Sequence, residues 1–432
     1  MDAAETQARL DALINYEVVP RAGAIDGLTL EPMRNLMASL GDPQLVYPVI
    51  HITGTNGKGS SVRMIEALLQ TMGLRVGTYT SPHLEAVNER IRCGGDAIDD
   101  VDLTEVLATV FRSVDGYELP NPTWFEVVTA AAFVHFANEA VDVAVVEVGM
   151  LGRFDATNVV EANVAAITNV GQDHTSGQGQ WRAEIAREKA GIITPGCSLV
   201  LGESDDELVQ IVASEPCERS LVRGADFDVV ENLLAVGGRL ISLRTPLASY
   251  DEVFLALHGA HQADNAALAL TVVETFFASA LGSDVVSEAF GSVEVPGRLE
   301  IVHRNPTVLL DAAHNPPGAE VLAETLDGDF GQSGRRFLLL GMQDGRDPVA
   351  LCRALRVGDF HLVATCTTPT ARGIDAVALA DAVRSAGGNA DPVADPEAAF
   401  DHLLNQCEDD DLLVIAGSIS TIGALRSLAA GL

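Results

Sequence analysis

Lysine is almost absent from this 432-residue chain: of its 27 basic residues only Lys58 and Lys189 are lysine, and the other 25 are arginine. Arginine serves wherever a bare positive charge suffices, so the two survivors mark positions that call for a compact or a deprotonable amine. Basic charge is scarce altogether. Sixty-one acidic residues give a formal net charge of -34, a field that repels phosphate backbones and anionic lipids and excludes nucleic acid and membranes as expected partners. The same excess suits a solvated surface such as a salt-adapted protein carries. The six cysteines, Cys93, Cys197, Cys217, Cys352, Cys366 and Cys407, include no Cys-x-x-Cys pair. That excludes a zinc knuckle or a disulfide framework and leaves buried free thiols. No apolar run reaches membrane-spanning length, and Met1-Asp2-Ala3-Ala4-Glu5 has no basic stretch leading into an apolar one. The expectation is a cytoplasmic protein.

What is present is a soluble globular composition, 47% hydrophobic and 20% charged, at a length that favours two domains over one. Apolar segments of strand length at Val46 to Ile52, Val76 to Thr80, Val141 to Val148 and Val164 to Asn169 alternate with helical spacing at Ser60 to Met72, Phe125 to Asn138, Arg182 to Ala190 and Ala263 to Ala278. Such alternation predicts a parallel α/β sheet. Between Val222 and Leu257 the pattern shortens around Gly237-Gly238, which predicts a small antiparallel patch. After Val295-Pro296-Gly297-Arg298 a second series begins, with strands near Val308 to Asp311, Phe337 to Leu340, Leu362 to Thr365 and Leu412 to Ala416. The boundary is placed at Pro296, giving domains 1–296 and 297–432.

Lys58 falls in Gly54-Thr55-Asn56-Gly57-Lys58-Gly59-Ser60, between a predicted strand and a predicted helix. Backbone N–H groups of a glycine-rich turn at a helix start cradle an anion, lysine adds a point charge, and a hydroxyl can reach a magnesium ion. The common spacing G-x-x-x-x-G-K-[ST] is not met, because Ile occupies position 52 and Gly59 separates Lys58 from Ser60. Neither lysine follows asparagine, as the guanine-reading Asn-Lys-x-Asp would need, so ATP is the expected nucleotide.

The loop is followed in order by Thr80-Ser81-Pro82-His83-Leu84, Asn88-Glu89-Arg90-Ile91, Glu147-Val148-Gly149, Arg153-Phe154-Asp155-Ala156-Thr157-Asn158, Asp173-His174, Glu188-Lys189-Ala190-Gly191-Ile192, His261-Gln262-Ala263-Asp264-Asn265, Pro296-Gly297-Arg298 and Asp311-Ala312-Ala313-His314-Asn315-Pro316. This series resembles the folylpolyglutamate and dihydrofolate synthases of the Mur ligase superfamily over almost the whole chain. The resemblance implies an N-terminal P-loop NTPase-like Mur ligase domain with a parallel sheet and a small antiparallel patch, and a smaller Rossmann-like C-terminal α/β domain. It implies ATP at residues 54–60 with Asn265, Arg298 and Asp311, and a catalytic set of Lys58, Lys189, Asp311 and His314. Ser81, Glu147, His174 and Lys189, the last as a carbamate, would hold magnesium at two sites, oxygen-rich chemistry that suits a hard cation; a monovalent cation is a further implied cofactor. A carbamate explains Lys189, since it forms from a neutral amine and arginine does not deprotonate. Folate or pteroate would meet Thr29, Leu30, Thr123, Trp124, Phe125, Phe154 and Asp155.

The implied reaction joins L-glutamate to dihydropteroate, to reduced folates, or to both through an acyl phosphate, in a protein that acts as a monomer. Three segments depart from the family pattern. Thr29-Leu30-Glu31-Pro32-Met33 stands where Gly-Leu-Glu-Arg-Met is usual, and Met150-Leu151-Gly152 replaces Leu-Gly-Gly. Ser176-Gly177-Gln178-Gly179 lacks the Leu-Gly expected after the histidine. These point to altered substrate loops. A ligase of the same superfamily acting on a different carboxylic acid, and a nucleotide-binding regulatory protein that keeps the fold without ligation, are the two alternative readings.

Overall fold

Pro48 and an exposed Val46 shorten the first predicted strand: β1 runs Val49–Thr53, and a 3-10 turn at Pro43–Leu45 precedes it. The computed structural model describes residues 2–17, 29–117, 119–171 and 180–432. His174 and the rest of the Gln172 to Gly179 segment lie outside the described residues. The chain divides into two compact units. The first comprises Met1–Ala235, Leu240–Ala256 and Gln262–Val293, and the second Val236–Arg239, Leu257–His261 and Glu294–Leu432.

The first unit is built on an eight-stranded sheet. Its strands are β1, β2 (Val76–Tyr79), β3 (Ile91–Cys93), β4 (Asp96–Ala97), β5 (Val143–Glu147), β6 (Ala162–Ile167), β7 (Ser198–Leu201) and β8 (Arg219–Val222), in the order β4-β3-β2-β5-β1-β6-β7-β8. The β3 hairpin edge is antiparallel and all other pairings are parallel. Strands buried on both faces read as continuous apolar runs, which is why Val143 to Val146 was legible. β1 lies between β5 and β6, with Ile52 opposite both Glu147 and Ala166. The helices Lys58–Thr71, Asp100–Gly116 and Trp124–Asn138 carry much of the remaining apolar surface of this half, and Leu107, Phe111, Val127 and Phe133 share one core with β1 and β5 residues.

The predicted antiparallel patch is a three-stranded sheet of β9 (Asp228–Ala235), β10 (Gly238–Arg244) and β11 (Ser249–Leu255), ordered β11-β10-β9. It starts later than the sequence pattern suggested, because Arg219–Val222 pairs with β7 in the main sheet instead.

The second unit carries β12 (Glu300–Arg304), β13 (Thr307–Leu310), β14 (Arg336–Met342), β15 (Leu362–Thr367), β16 (Ala390–Pro392) and β17 (Leu412–Ala416), ordered β12-β13-β17-β14-β15-β16. Only β12 is antiparallel to its neighbour. β12 and β16 escaped the sequence reading because both are short edge strands with part-exposed residues, and neither forms an apolar run. Among the described residues no helix is long and apolar enough to cross a membrane.

Candidate active site: two lysines at the carboxyl ends of three strands

Ligands of open α/β sheets sit beyond the carboxyl ends of strands where the order reverses. Here β1 runs into the glycine-rich loop, β5 ends on Glu147, and β6 runs into Thr168-Asn169-Val170-Gly171. The three ends build one another. Thr55 N–H donates to the Asn169 carbonyl at 3.1 Å, and the Asn56 N–H donates to Asn169 Oδ1 at 3.1 Å. Thr168 Oγ1 and Asn169 Nδ2 donate to the Asn56 carbonyl at 2.6 and 3.1 Å. Thr55 Oγ1 accepts from Gly171 N–H at 2.9 Å and donates to the Gly171 carbonyl at 3.1 Å. The sequence reading gave Thr168, Asn169 and Gly171 no role. The signal was there: polar residues directly after an apolar strand.

Gly57 has φ +83° and precedes the helix Lys58–Thr71, so the chain turns into the helix through a conformation that disfavours a side chain. A Cβ there would also lie 3.2 Å from Asn265 Cγ. Asn265 in turn donates through Nδ2 to Gln262 Oε1 at 2.9 Å, and Gln262 Nε2 donates to Ser60 Oγ at 3.4 Å. Asn265 thus stands against the loop, with Gln262 as an unforeseen link to Ser60. The N–H groups of the helix's first turn have no intrahelical acceptor and face a potential anion. Lys58 Nζ bends back to the carbonyls of Gly54 at 3.0 Å and Thr55 at 3.4 Å.

Glu147 is 4% exposed, and its Oε2 accepts from Ser81 N–H at 3.2 Å. The same oxygen lies 3.8 Å from where a Cβ on Gly59 would stand. A buried carboxylate and a serine hydroxyl beside a phosphate cradle form a hard oxygen donor set that suits a magnesium-like cation.

Lys189 sits in the last turn of the helix Trp181–Ala190 and is 4% exposed. Its helix end is packed by the 149–158 loop: Arg153 N–H donates to the Glu188 carbonyl at 2.9 Å, and Asn158 Nδ2 donates to the Arg153 and Gly191 carbonyls at 3.0 Å each. The result is one small cavity lined by Gly54, Thr55, Lys58 and Lys189 on one hand and by Gly149, Met150, Leu151 and Ile185 on the other. The only two lysines of the chain therefore face the same space, although 131 positions separate them in sequence.

Asp155 is buried and its carboxylate accepts from Met150 N–H at 2.8 Å, Thr157 N–H at 3.0 Å and Thr157 Oγ1 at 2.6 Å. Burial raises its pKa above the usual carboxylate value, against the opposing effect of these donors. It braces the Met150 turn that lines the cavity. Thr157 Oγ1 also pairs with His51 Nε2 at 2.9 Å, and His51, fully buried in β1, has its pKa lowered by burial to about 3. His261 in the second unit is likewise pushed down by burial to about 4.

Each of these histidines has a folded pKa below its unfolded value of 6.5. As pH falls below 6.5 the unfolded chain takes up protons that the folded chain refuses, so stability drops by up to about 1.4 kcal/mol per pH unit per histidine until the folded pKa is reached. His51→Gln removes one such site. Between pH 6.5 and 5 the stability gap between wild type and this variant is expected to shift by about 2 kcal/mol in the variant's favour in urea unfolding; a gap that does not change with pH would contradict a neutral buried His51.

The aromatic segment reaches the cavity wall indirectly. Thr123 caps the helix Trp124–Asn138 in a reciprocal box with Glu126, its N–H and Oγ1 donating to Glu126 Oε2 at 2.7 and 2.8 Å. Phe125 packs beside Gly149 and stands 6.1 Å from Tyr79 between ring centres. Trp124 lies under the guanidinium of Arg90 at 4.7 Å, while Phe154 is exposed. Thr29 and Leu30 precede the helix Glu31–Ser39 and do not line the cavity. Pro32 falls in that helix's first turn, where no backbone donor is needed, so the departure from arginine costs the helix nothing.

In the second unit Asp311 follows β13, and its carboxylate accepts from Leu299 N–H at 3.0 Å and Ala313 N–H at 2.9 Å. Burial raises its pKa, and Arg298 acts in the opposite direction. His314 Nδ1 must donate to the Ala312 carbonyl at 2.8 Å, which leaves Nε2 as the basic position of the neutral ring. The described geometry thus gathers Gly54 to Ser60, Lys58, Ser81, Glu147, Lys189 and Asn265 in one unit, and Arg298, Asp311 and His314 in the other.

Comparison with known proteins agrees with this geometry. Residues 52–273 match the Mur ligase middle domain, and residues 297–419 match the Mur ligase glutamate ligase domain. The chain is 39% identical over 437 residues to the dihydrofolate synthase/folylpolyglutamate synthase of Mycobacterium tuberculosis, covering 91% of this chain and 88% of that protein. The crystal structure of the Mycobacterium tuberculosis folylpolyglutamate synthase complexed with ADP and AMPPCP superposes with a TM-score of 0.90 at 35% identity, over 99% of each chain. A bifunctional folylpolyglutamate synthase/dihydrofolate synthase with Mn, AMPPNP and L-glutamate bound gives 0.85 at 26% identity, over 99% of this chain and 98% of that one. An off-pattern phosphate loop, a buried acidic strand end and a second lysine in one cavity, together with these matches, establish that the chain belongs to the Mur ligase family, as an ATP-dependent ligase of its folylpolyglutamate/dihydrofolate synthase type.

Proposed function

We propose that this ligase joins the amine of L-glutamate to the carboxylate of a folate or of dihydropteroate, at the expense of ATP. The observation that carries the reading is the meeting of Lys58 and Lys189 in one cavity beside the phosphate loop. A carboxylate is anionic and has a poor leaving group, so it must be activated before an amine can displace an oxygen from it. Attack of the carboxylate oxygen on the γ-phosphorus of ATP forms an acyl phosphate and releases ADP. The amine of glutamate then adds to the acyl carbon, the tetrahedral centre collapses, and phosphate leaves with the carbon–oxygen bond while the amine loses its proton.

The protein's part is positioning and charge. The N–H groups around Gly57 to Ser60 hold the phosphates, and Lys58 swings from the Gly54 carbonyl to the phosphoryl oxygens, where its charge offsets the load that develops in transfer. Ser81 and Glu147 would hold a magnesium ion shared with the nucleotide, and Lys189, as a carbamate, a second; bound there, the cations would neutralise phosphate charge. Lys189 is buried, and a lysine amine can give up its proton as carbamate formation needs, whereas arginine cannot. Asn265, fixed by Gln262, holds the far side of the loop.

The test is an assay with ATP and L-glutamate in which dihydropteroate and tetrahydrofolate are offered in parallel, followed by phosphate release and product mass. Turnover with at least one acid is expected, with a mass increase of one glutamate residue. No turnover with either would remove the folate reading and leave a ligase of another acid.

A further inference from the structure

A second cluster of chemistry-bearing side chains lies outside the phosphate-loop cavity, where two packed helices of the first unit meet. Asp102 stands in the first turn of the helix Asp100–Gly116, His135 in the last turn of the helix Trp124–Asn138, and Glu139 is that helix's C-cap. His135 and Glu139 are four residues apart, the spacing that puts two side chains on one helix face. One ligand atom from each of the three residues lies within 4.8 Å of the others. We propose that Asp102, His135 and Glu139 form a site for a divalent transition ion of the Zn2+ class, bound without nucleotide and separate from the catalytic cavity.

Two observations support it. His135 is 5% exposed, yet among the described residues neither ring nitrogen has a hydrogen-bond partner. Neither nitrogen is sealed from solvent, so the lone pair is open to an ion arriving from it. The local field also favours a cation. The carbonyl end of the helix Trp124–Asn138 is negative, and Asp102 and Asp99 act on the imidazole with Arg75 in opposition, while Glu139 lies beside it in an ion pair with Arg75.

The donor set selects the metal. One imidazole and two carboxylates suit Zn2+, Co2+ or Mn2+, whereas Mg2+ and Ca2+ prefer all-oxygen shells. Tetrahedral Zn2+ holds such ligand atoms roughly 3.4 Å apart. Closing the triad from its present spacing takes rotation of the two part-exposed carboxylate side chains, while the helices stay where their shared core holds them. Occupation would clip the start of one helix to the end of the other, a stabilising role of the kind structural metal sites play.

The experiment is calorimetric titration of the metal-stripped full-length protein with Zn2+, without nucleotide and with millimolar Mg2+ present to fill hard oxygen sites. One saturable equivalent is expected in wild type. His135→Gln and Glu139→Gln should each weaken it by more than about tenfold, at least the cost of disturbing a metal's outer-shell partner, and leave ligase turnover unchanged. Zn2+ should also raise the melting temperature of wild type and not of these variants. Glu139 is partly exposed, so its variant decides the matter even if the buried histidine proves necessary for folding. No saturable equivalent in wild type, or equal affinity in the Glu139→Gln protein, would overturn the proposal.

Discussion

Replacing Lys189 with arginine is expected to lower glutamate-dependent phosphate release by about 10²–10³-fold, the scale of losing one preorganised electrostatic group, while ATP affinity stays within a few-fold of wild type. Arginine keeps the positive charge that a merely structural lysine would provide, so a charge-only role predicts little loss. A carbamate role predicts collapse, because the guanidinium neither deprotonates nor reacts with carbon dioxide. Burial sharpens the contrast: the side chain is 4% exposed and shares its cavity with Lys58 and the loop residues Gly54 and Thr55. Lys189→Met, similar in length and neutral, should fail as badly, and depleting bicarbonate from the buffer should slow wild type and neither variant. Nucleotide titration calorimetry beside a steady-state assay measures both quantities. Full turnover in the arginine variant would sink the carbamate.

The second large effect concerns Gly54. A Cβ there would collide with Thr168, whose own Cβ would lie 2.9 Å away and whose backbone nitrogen 3.2 Å away. Thr168 cannot retreat, since its N–H is bonded to the Thr53 carbonyl at 2.9 Å and its hydroxyl holds the Asn56 carbonyl. Gly54→Ala must therefore displace the loop, and the expected cost is about 1–3 kcal/mol of stability, as for other overpacked sites. The loss of ATP affinity should exceed it, because every donor from Thr55 to Ser60 moves with the loop. Gly59→Ala is the matched control. Its nearest neighbour would be Glu147 Oε2 at 3.8 Å, ordinary contact, and the position is helical, so alanine should leave the melting temperature unchanged or raise it. Equal melting temperatures for the two variants would show that the Thr168 contact does not constrain the loop.

The acid-pH expectation for His51 connects to the same region. His51 lies in the middle of β1, three residues before the loop begins at Gly54, and its bond to Thr157 joins the strand to the Asp155 brace. Because the folded ring stays neutral down to about pH 3, this chain of bonds persists in the folded protein at pH 5, and acid acts on stability by protonating His51 in the unfolded chain. The stability loss between pH 6.5 and 5 is thus expected without a His51-linked loss of activity in the protein that remains folded.

Much of the fold could be read directly from residues whose neighbours are local. Val143 to Val146 is buried on both faces and reads as a strand without help, and the helix after the loop has regular apolar spacing. The phosphate loop was legible because glycine, lysine and hydroxyl must be contiguous to surround an anion. Edge strands β12 and β16 were not, because an edge needs no apolar run. Val46 was misassigned to the first strand for the opposite reason: apolar by type, it is 68% exposed. Among site residues, Thr168, Asn169 and Gln262 were passed over because each acts through a bond to a residue between about 110 and 200 positions away. Periodicity does not carry such information.

By itself the sequence determined that the protein handles a phosphate-bearing nucleotide, that its architecture is parallel α/β, and that lysine is kept at two positions only where every other basic residue is arginine. Tertiary structure alone decided that those lysines share one cavity. Sheet order is the cause: β1 is placed between β5 and β6, so three strand ends distant in sequence converge, and the 149–158 loop then draws the end of the Trp181–Ala190 helix against them. Convergence of that kind is set by long-range pairing and packing, and no local run of residues encodes it.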